Sequence, residues 1–472
     1  MRRAILFIIF LATSKTIGAQ NIPDRISFPD TLWAKSDSFF VLASTWDDKW
    51  SFSTSESDTI DLGTDGFEGV YVKVWTDIDS VTIPYVNSPF EQWVFIPIVS
   101  NNDTTIYRLR FNSQSSLFST EYIIANSGTT SFSIPETYEL SNIILYLTDC
   151  SKLTFNHPEG TIYANLVEEH FGSFRNHPLI KVLNKKCSNG NHWPTYYGFR
   201  ENSLCFEFGE GNLLKYSTPY KHSWSDNSEI MGGEFRNLLY LIQDFVNASN
   251  FRNFYRSNIT YYEQLEKRLS ELEPLKKMWN WLEKEFPFKY NSYKVVFSPL
   301  IEGSHSTQKF YKGNFRNPEY KECIMFVNSP ESIDSNKEYP ESLKEGLVSG
   351  IVFTEIDHNY VNPSSEENFK GIKGLIKEKG TWATKEAQQN YSSEYAIFNE
   401  YMTHSLYCLY VQETYDEQIG KEIIEKRIRL MSKRGFDKFE QFNLILLEMR
   451  NQSSKTIYEL YPQIIDAMKS IE

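Results

Sequence analysis

The spacing of apolar residues changes period at Pro135, which divides the chain into a β-rich part and a mainly helical part. Ahead of that point the sequence alternates. In Val70-Tyr71-Val72-Lys73-Val74-Trp75 the valines share one face, and from Thr105 to Phe111 the residues Tyr107, Leu109 and Phe111 lie opposite Arg108 and Arg110. Successive side chains of a strand point to opposite faces, so each run buries one side only. Phe39 to Ala43 and Trp93 to Val99 are further strand candidates, and turn residues separate the runs. A small antiparallel β-sandwich of about 115 residues is the economical expectation for this part. Its Trp and Tyr residues either pack a core or edge or offer a surface for sugars.

After Pro135, Leu140, Ile143, Ile144 and Leu147 recur at helical spacing behind Thr137, which suits a helix cap with Glu139 nearby. Helical patterns continue through Ile162 to Phe171, Phe235 to Val246 and the charged segment Tyr261 to Phe286, which Pro274 kinks or divides. Pro287 ends that segment, and Tyr293 to Phe297 and Cys323 to Val327 read as short strands. Asn362 to Asn390 is polar and carries Gly371, Gly374 and Gly380, the pattern of an exposed loop. From Tyr415 onward Ile423, Ile424, Ile428, Leu444, Leu447, Ile464, Ile465 and Met468 mark amphipathic packing helices. The fold class expected is α+β, with a β-sandwich over 20–136 followed by a mainly helical domain with a small sheet over 137–472.

Hydrophobic residues make up 40% of the 472 residues, enough to offset chain entropy and rule out global disorder. Lys and Arg number 48 against 61 Asp and Glu, a formal net charge of −13, with no dense basic run. Nucleic acid needs clustered cations and is excluded as a partner. Arg2 and Arg3, the apolar stretch Ala4 to Ala12 and Ile17-Gly18-Ala19 read as an export signal over 1–19, with the mature chain starting at Gln20. That apolar stretch is about half of what a spanning helix needs, and no later segment is a membrane-spanning candidate. The expected destination is the periplasm, the cell surface or the medium. Of the cysteines Cys150, Cys187, Cys205, Cys323 and Cys408, the pair Cys187 and Cys205 is the most plausible bridge, and at least one buried thiol must remain.

The segment that carries chemistry is Glu341 to Pro363. Leu343, Leu347, Val348, Ile351 and Val352 form one helical stripe, and Thr354, Glu355 and His358 fall on its continuation, before Asn362-Pro363 stops the helix. Polar groups therefore point where a core belongs. Thr354-Glu355-Ile356-Asp357-His358 is the zinc-peptidase pattern H-E-x-x-H with Thr at the first His. Glu-x-x-His also occurs at Glu302 to His305, and the plain alternative is a buried helix end with a hydrogen-bonded His. Asp357 points off the stripe and is expected in solvent. Further on, Glu400 and His404 interrupt the apolar stripe of Ile397, Tyr407, Cys408 and Val411 one turn apart. A buried carboxylate needs a metal or a partner, so the choice is a zinc ligand or a buried pair of Glu400 with His404 or an Arg.

Tyr138-Glu139-Leu140 with Ile143-Ile144-Leu145, Ser298-Pro299-Leu300 and above all His358-Asn359-Tyr360-Val361-Asn362-Pro363 resemble the secreted bacterial proteins grouped as domain of unknown function 4932, which are metallopeptidase-like with a zincin core. The resemblance covers roughly Thr137 to the C-terminus. It implies Glu355 as catalytic general base, His358 as zinc ligand and Glu400 as third ligand. Thr354 then stands at the degenerate first-ligand position, and a hydroxyl is a poor replacement for imidazole in a site that keeps three protein ligands and a water. Without the metal that water stays near its bulk pKa and Glu355 has nothing to activate. His404, or more distantly His305, is the residue that could complete a zinc site. The expected function is an exported, catalytically impaired metallopeptidase-like protein, with no cofactor, whose cleft binds a peptide or protein. The alternatives are an active zinc metallopeptidase with an atypical third ligand, and a surface glycan-binding or adhesion protein.

Overall fold

In the computed structural model the described residues are eight strands of the N-terminal part together with 118–216, 219–220, 233–314, 317–368, 371–372, 381–391, 393–468 and 471. The expected export signal lies outside them. The chain divides into two compact units, one of Met1–Ser116 with Tyr311–Glu319 and one of Leu117–Phe310 with Tyr320–Glu472. The division falls ahead of the expected boundary at 136/137.

The strands of the first unit are β1 (Ala34–Lys35), β2 (Phe39–Leu42), β3 (Ser51–Ser53), β4 (Thr59–Gly63), β5 (Val70–Thr76), β6 (Ser80–Tyr85), β7 (Gln92–Ser100) and β8 (Asp103–Asn112). They make two four-stranded sheets, β1-β7-β8-β4 and β3-β2-β5-β6. The predicted runs fall on β2, β5, β7 and β8. β5 pairs antiparallel with β2 and β6, and β7 with β8, but β1–β7 and β4–β8 are parallel, so the purely antiparallel expectation is corrected. Tight turns dictate direction only between successive strands such as β7 and β8; β1 and β4 reach their partners through long connections, where direction is free. The aromatic faces on which a sugar-binding role rests lie outside the described side chains.

A further sheet of order β13-β14-β12-β9 is built from β9 (Thr130–Ser133), β12 (Ser292–Ser298), β13 (Ser306–Asn314) and β14 (Asn317–Asn328), all of it in the second unit except the strand ends within Tyr311–Glu319, and that unit also holds a separate hairpin of β10 (Phe206–Phe208) and β11 (Leu214–Tyr216). β12 runs parallel to both its neighbours, with Val295 opposite Phe132 and Met325. Parallel strands are covered on both faces, which explains the unbroken Val295-Val296-Phe297 run. Tyr293, Val295 and Phe297 face the large core with Cys323, Met325 and Val327, while Val296, Ile324 and Phe326 face a smaller one with Phe118, Tyr138 and Phe310.

The helices that matter to the site and its frame are α1 (Glu136–Tyr146), α2 (His192–Asn202), α3 (Ile259–Leu272), α4 (Leu275–Glu285), α5 (Glu341–Ile356), α6 (His358–Glu367), α7 (Glu394–Thr414), α8 (Glu417–Lys433), α9 (Phe439–Asn451) and α10 (Ile457–Met468). Pro274 does divide the charged segment, as the N-cap of α4. Thr137 is not a cap: Pro135 holds that position, and the Thr137 hydroxyl donates to the Phe206 carbonyl at 3.1 Å. The segment from Glu341 to Pro363 is two helices rather than one, broken at Asp357, and Pro363 lies inside α6 instead of ending it. Periodicity could not report the break because the i, i+4 spacing carries on across it. The polar stretch after Asn362 contains the end of α6 and a helical turn at Lys385–Asn390 capped by Thr384.

The disulfide is Cys150–Cys187, not Cys187–Cys205. Cys150 lies in the short helix Asp149–Leu153 and Cys187 closes the helix Pro178–Lys186, with Cα atoms 5.5 Å apart. Disulfides require that proximity, which spacing along the chain cannot supply. Cys205, Cys323 and Cys408 are buried thiols, as small apolar residues are.

Candidate functional site

Four helices supply the site. α7 is its axis: Ser393 caps it by accepting from the Ala396 amide at 3.0 Å, and every residue from Ile397 to Val411 is buried. A helix enclosed all round has no solvent face, so Glu400 and His404 are not interruptions of one apolar stripe; they are polar groups inside the protein that need partners. α5 and α8 both pack on α7. Where α5 meets α8, Gly350 leaves room for the Arg427 guanidinium and the Tyr407 ring, either of which a Cβ at position 350 would overlap. α8 ends in a glycine turn: Gly435 takes φ +86°, its amide donates to Ser432 and the Phe436 amide donates to Met431. That closure satisfies the last carbonyls and sets Arg434, the capping residue, beside α7.

Thr354 sits one turn after Gly350, and its hydroxyl is turned back on its own helix, 3.0 Å from the carbonyls of Gly350 and Ile351. Glu355 accepts from the Thr307 hydroxyl of β13 at 3.0 Å. Burial pushes the Glu355 carboxyl up, against the opposing influence of His358 and Thr307. His358 opens α6. Its Nδ1 lies 3.2 Å from Asn362 Oδ1, an oxygen that also accepts from the Asn399 amide at 3.1 Å, so this nitrogen is the donor and Nε2 faces Glu400 Oε1 at 3.9 Å. Asp357, expected in solvent, is wholly buried at the break between α5 and α6, and burial with Glu355 and Glu400 nearby pushes its carboxyl well up.

Glu400 and His404 meet arginines. Glu400 Oε2 accepts from Arg434 Nη2 at 2.7 Å and lies 3.5 Å from His404 Nε2. Burial alone would raise the Glu400 carboxyl, but the His404 hydrogen bond and the Arg434 charge overcome it and hold the group down at about 2. His404 lies between two guanidiniums, Arg427 at 3.0 Å from Nδ1 and Arg434 against Nε2. Burial lowers its pKa to about 3, so the ring is neutral, with one lone pair for two donors. Arg434 also donates to the Tyr391 hydroxyl and is still 30% exposed.

These residues do not fit a zinc ion. The Thr354 hydroxyl is committed to backbone, the His404 lone pair to a guanidinium and Glu400 Oε2 to Arg434. His358 Nε2 and Glu400 Oε1 remain, one donor short of the three that a catalytic zinc keeps. At an effective dielectric of ~20, a divalent ion about 4 Å from a guanidinium would be repelled by on the order of 8 kcal/mol. Among the described residues no three His, Cys, Asp or Glu side chains are arranged to hold a metal. His305 does not complete the site. It precedes β13, its Nε2 is covered without a hydrogen-bond partner, and burial and Arg200 hold its pKa down at about 4.

The sequence reading brought Glu355, His358, Glu400 and His404 into one neighbourhood, and it named a Glu400–Arg or Glu400–His404 pair as the alternative to a metal. It missed Arg427, Arg434 and Tyr391. The Arg434-Gly435 pair at the end of a periodic segment was the available signal, since Gly just past a helix marks its last residue. It also missed the wholly buried Arg200 of α2, which donates to the Ser304 carbonyl at 3.1 Å and to Glu201 at 3.2 Å and stacks on Tyr196 and Tyr197. No protein family, curated protein or solved structure matches this chain.

Proposed function

We infer that this is an exported protein with a metallopeptidase-like core that has lost peptide hydrolysis and recognises a peptide or protein beside the former catalytic helix. The observation that carries the reading is Thr354: at the position of a first zinc ligand stands a hydroxyl already spent on its own helix. The resemblance of the His358 to Pro363 stretch to the family of domain of unknown function 4932 supports a zincin-like ancestry. The Cys150–Cys187 bridge supports export, because such bonds persist in oxidising compartments.

The mode of recognition is argued from β13. It is an edge of its sheet, with no described strand on its outer side, and Thr307 joins it directly to Glu355. An edge strand presents unpaired amides and carbonyls to an extended peptide, and the side chains beside it then select. The test is titration of the purified protein with a panel of extended peptides, with binding followed by calorimetry and integrity by mass spectrometry. Saturable binding without cleavage, weakened by Gln308→Pro on β13, is the expected result. Near-stoichiometric zinc together with chelator-sensitive cleavage that His358→Ala abolishes would overturn it.

A further inference from the structure

We propose that Arg434 is the resident cation of this site: its guanidinium, seated on Glu400 and His404, takes the electrostatic place of a divalent metal and keeps metals out. The inference rests on the reading of the core as metallopeptidase-like, but on different residues from those that carry that reading. Three features converge. Glu400 is buried with a charge it cannot keep alone, and Arg434 meets it at 2.7 Å. His404 is closed to a metal: its Nδ1 meets Arg427 at 3.0 Å and its Nε2 lies against Arg434 and 3.5 Å from Glu400 Oε2, so the ring has no free lone pair to offer. Arg427 has space prepared for it by the missing side chain of Gly350, and Arg434 is the capping residue of α8, ahead of the left-handed turn at Gly435.

A positive charge between these donors does part of what a metal does. It compensates the carboxylate of α7 and ties it to the end of α8, and through Tyr391 to the segment ahead of α7. It supplies no open coordination position and lowers no water pKa, so the frame survives while the chemistry is gone. Restoring a His at position 354 alone therefore leaves the cation in place.

The experiment measures zinc content by elemental analysis, after loading and desalting, for the wild type, T354H, T354H/R434Q and T354H/R434K. Near one equivalent in T354H/R434Q, with less than a tenth of that in the other three, is the expected result. The Lys variant separates charge from shape. Zinc bound by T354H as well as by T354H/R434Q would overturn the proposal, as would a folded T354H/R434Q that stays empty. Because removing Arg434 strands a buried carboxylate, melting of R434Q and E400Q/R434Q is measured alongside. The proposal requires the second change to recover most of the loss in melting temperature caused by the first, and no recovery counts against it. Peptide binding is not a readout here, so a failure to bind peptides would remove the proposed function and leave this inference standing.

Discussion

Gly350 shows how one missing side chain can be decisive. In an exposed helix Ala in place of Gly gains about 1 kcal/mol, whereas overfilling a packed contact costs typically ~1–3 kcal/mol. Because a Cβ there meets Arg427 and Tyr407, the second effect wins, and Gly350→Ala is expected to lower the stability measured by urea unfolding; a gain would place Arg427 elsewhere. Glu139 of α1 tests the pH dependence of the fold. Its carboxyl is buried, accepts from the Tyr163 hydroxyl at 2.7 Å, and burial pushes its pKa up to about 7. The native state then binds the proton more tightly than the unfolded chain. Stability is lost as pH rises from the unfolded value near 4.5 through 7, and is recovered on acidification. The span corresponds to on the order of 3 kcal/mol, and Glu139→Gln should flatten the wild-type slope of unfolding free energy between pH 5 and 7 by roughly that amount. A slope unchanged by the substitution would exclude Glu139 as its source. Residues of this kind were only partly legible. Glu355, His358, Glu400 and His404 stood out because a polar group on an apolar helix position is visible in one dimension. Arg427 and Arg434 did not, since surface and buried arginines look alike until a neighbouring carboxylate is known.

At the scale of elements, the clear successes are segments whose periodicity and punctuation agree: the strand β12, the division of α3 from α4 at Pro274, and the amphipathic α8 to α10. The errors arise where tertiary contacts override local rules. Pro363 is the sixth of the ten residues of α6, so it sits inside the helix and forgoes one backbone hydrogen bond instead of ending it. The Cys150–Cys187 bridge closes a segment with a sequence separation of 37, for which loop-entropy reasoning gives about 4 kcal/mol. Reduction, or C150S/C187S, should lower unfolding stability by roughly 2–4 kcal/mol, and mapping of non-reduced peptides should recover Cys150 joined to Cys187. Recovery of a peptide pair containing Cys205 would contradict this pairing. Gly435→Ala tests the end of α8. The left-handed backbone and the contact with Thr384 should together cost at least ~1 kcal/mol, read as a fall in melting temperature.

For the molecule as a whole, the break in sequence period and the break between compact units are different things. β9 precedes Pro135 yet pairs with β12, and Phe118 packs with Val296 and Phe326, so both belong with the helical unit. A fragment spanning 117–472 should therefore unfold in one cooperative transition, while 137–472, which lacks β9 and Phe118, should be poorly folded by near-ultraviolet circular dichroism. Equal cooperativity of the two fragments would show that β9 contributes nothing to the frame. No helix among the described residues is long and apolar enough to cross a membrane. What the order of residues settles alone is local: where strands and helices alternate, the acidic charge balance, and which polar residues interrupt apolar faces, because each depends on neighbours within a few positions. Tertiary structure alone decided which strands run parallel, which cysteines pair and which cation meets Glu400. Those outcomes depend on groups far apart along the chain, such as Glu400 and Arg434, whose attraction exists only once α7 and the end of α8 lie side by side.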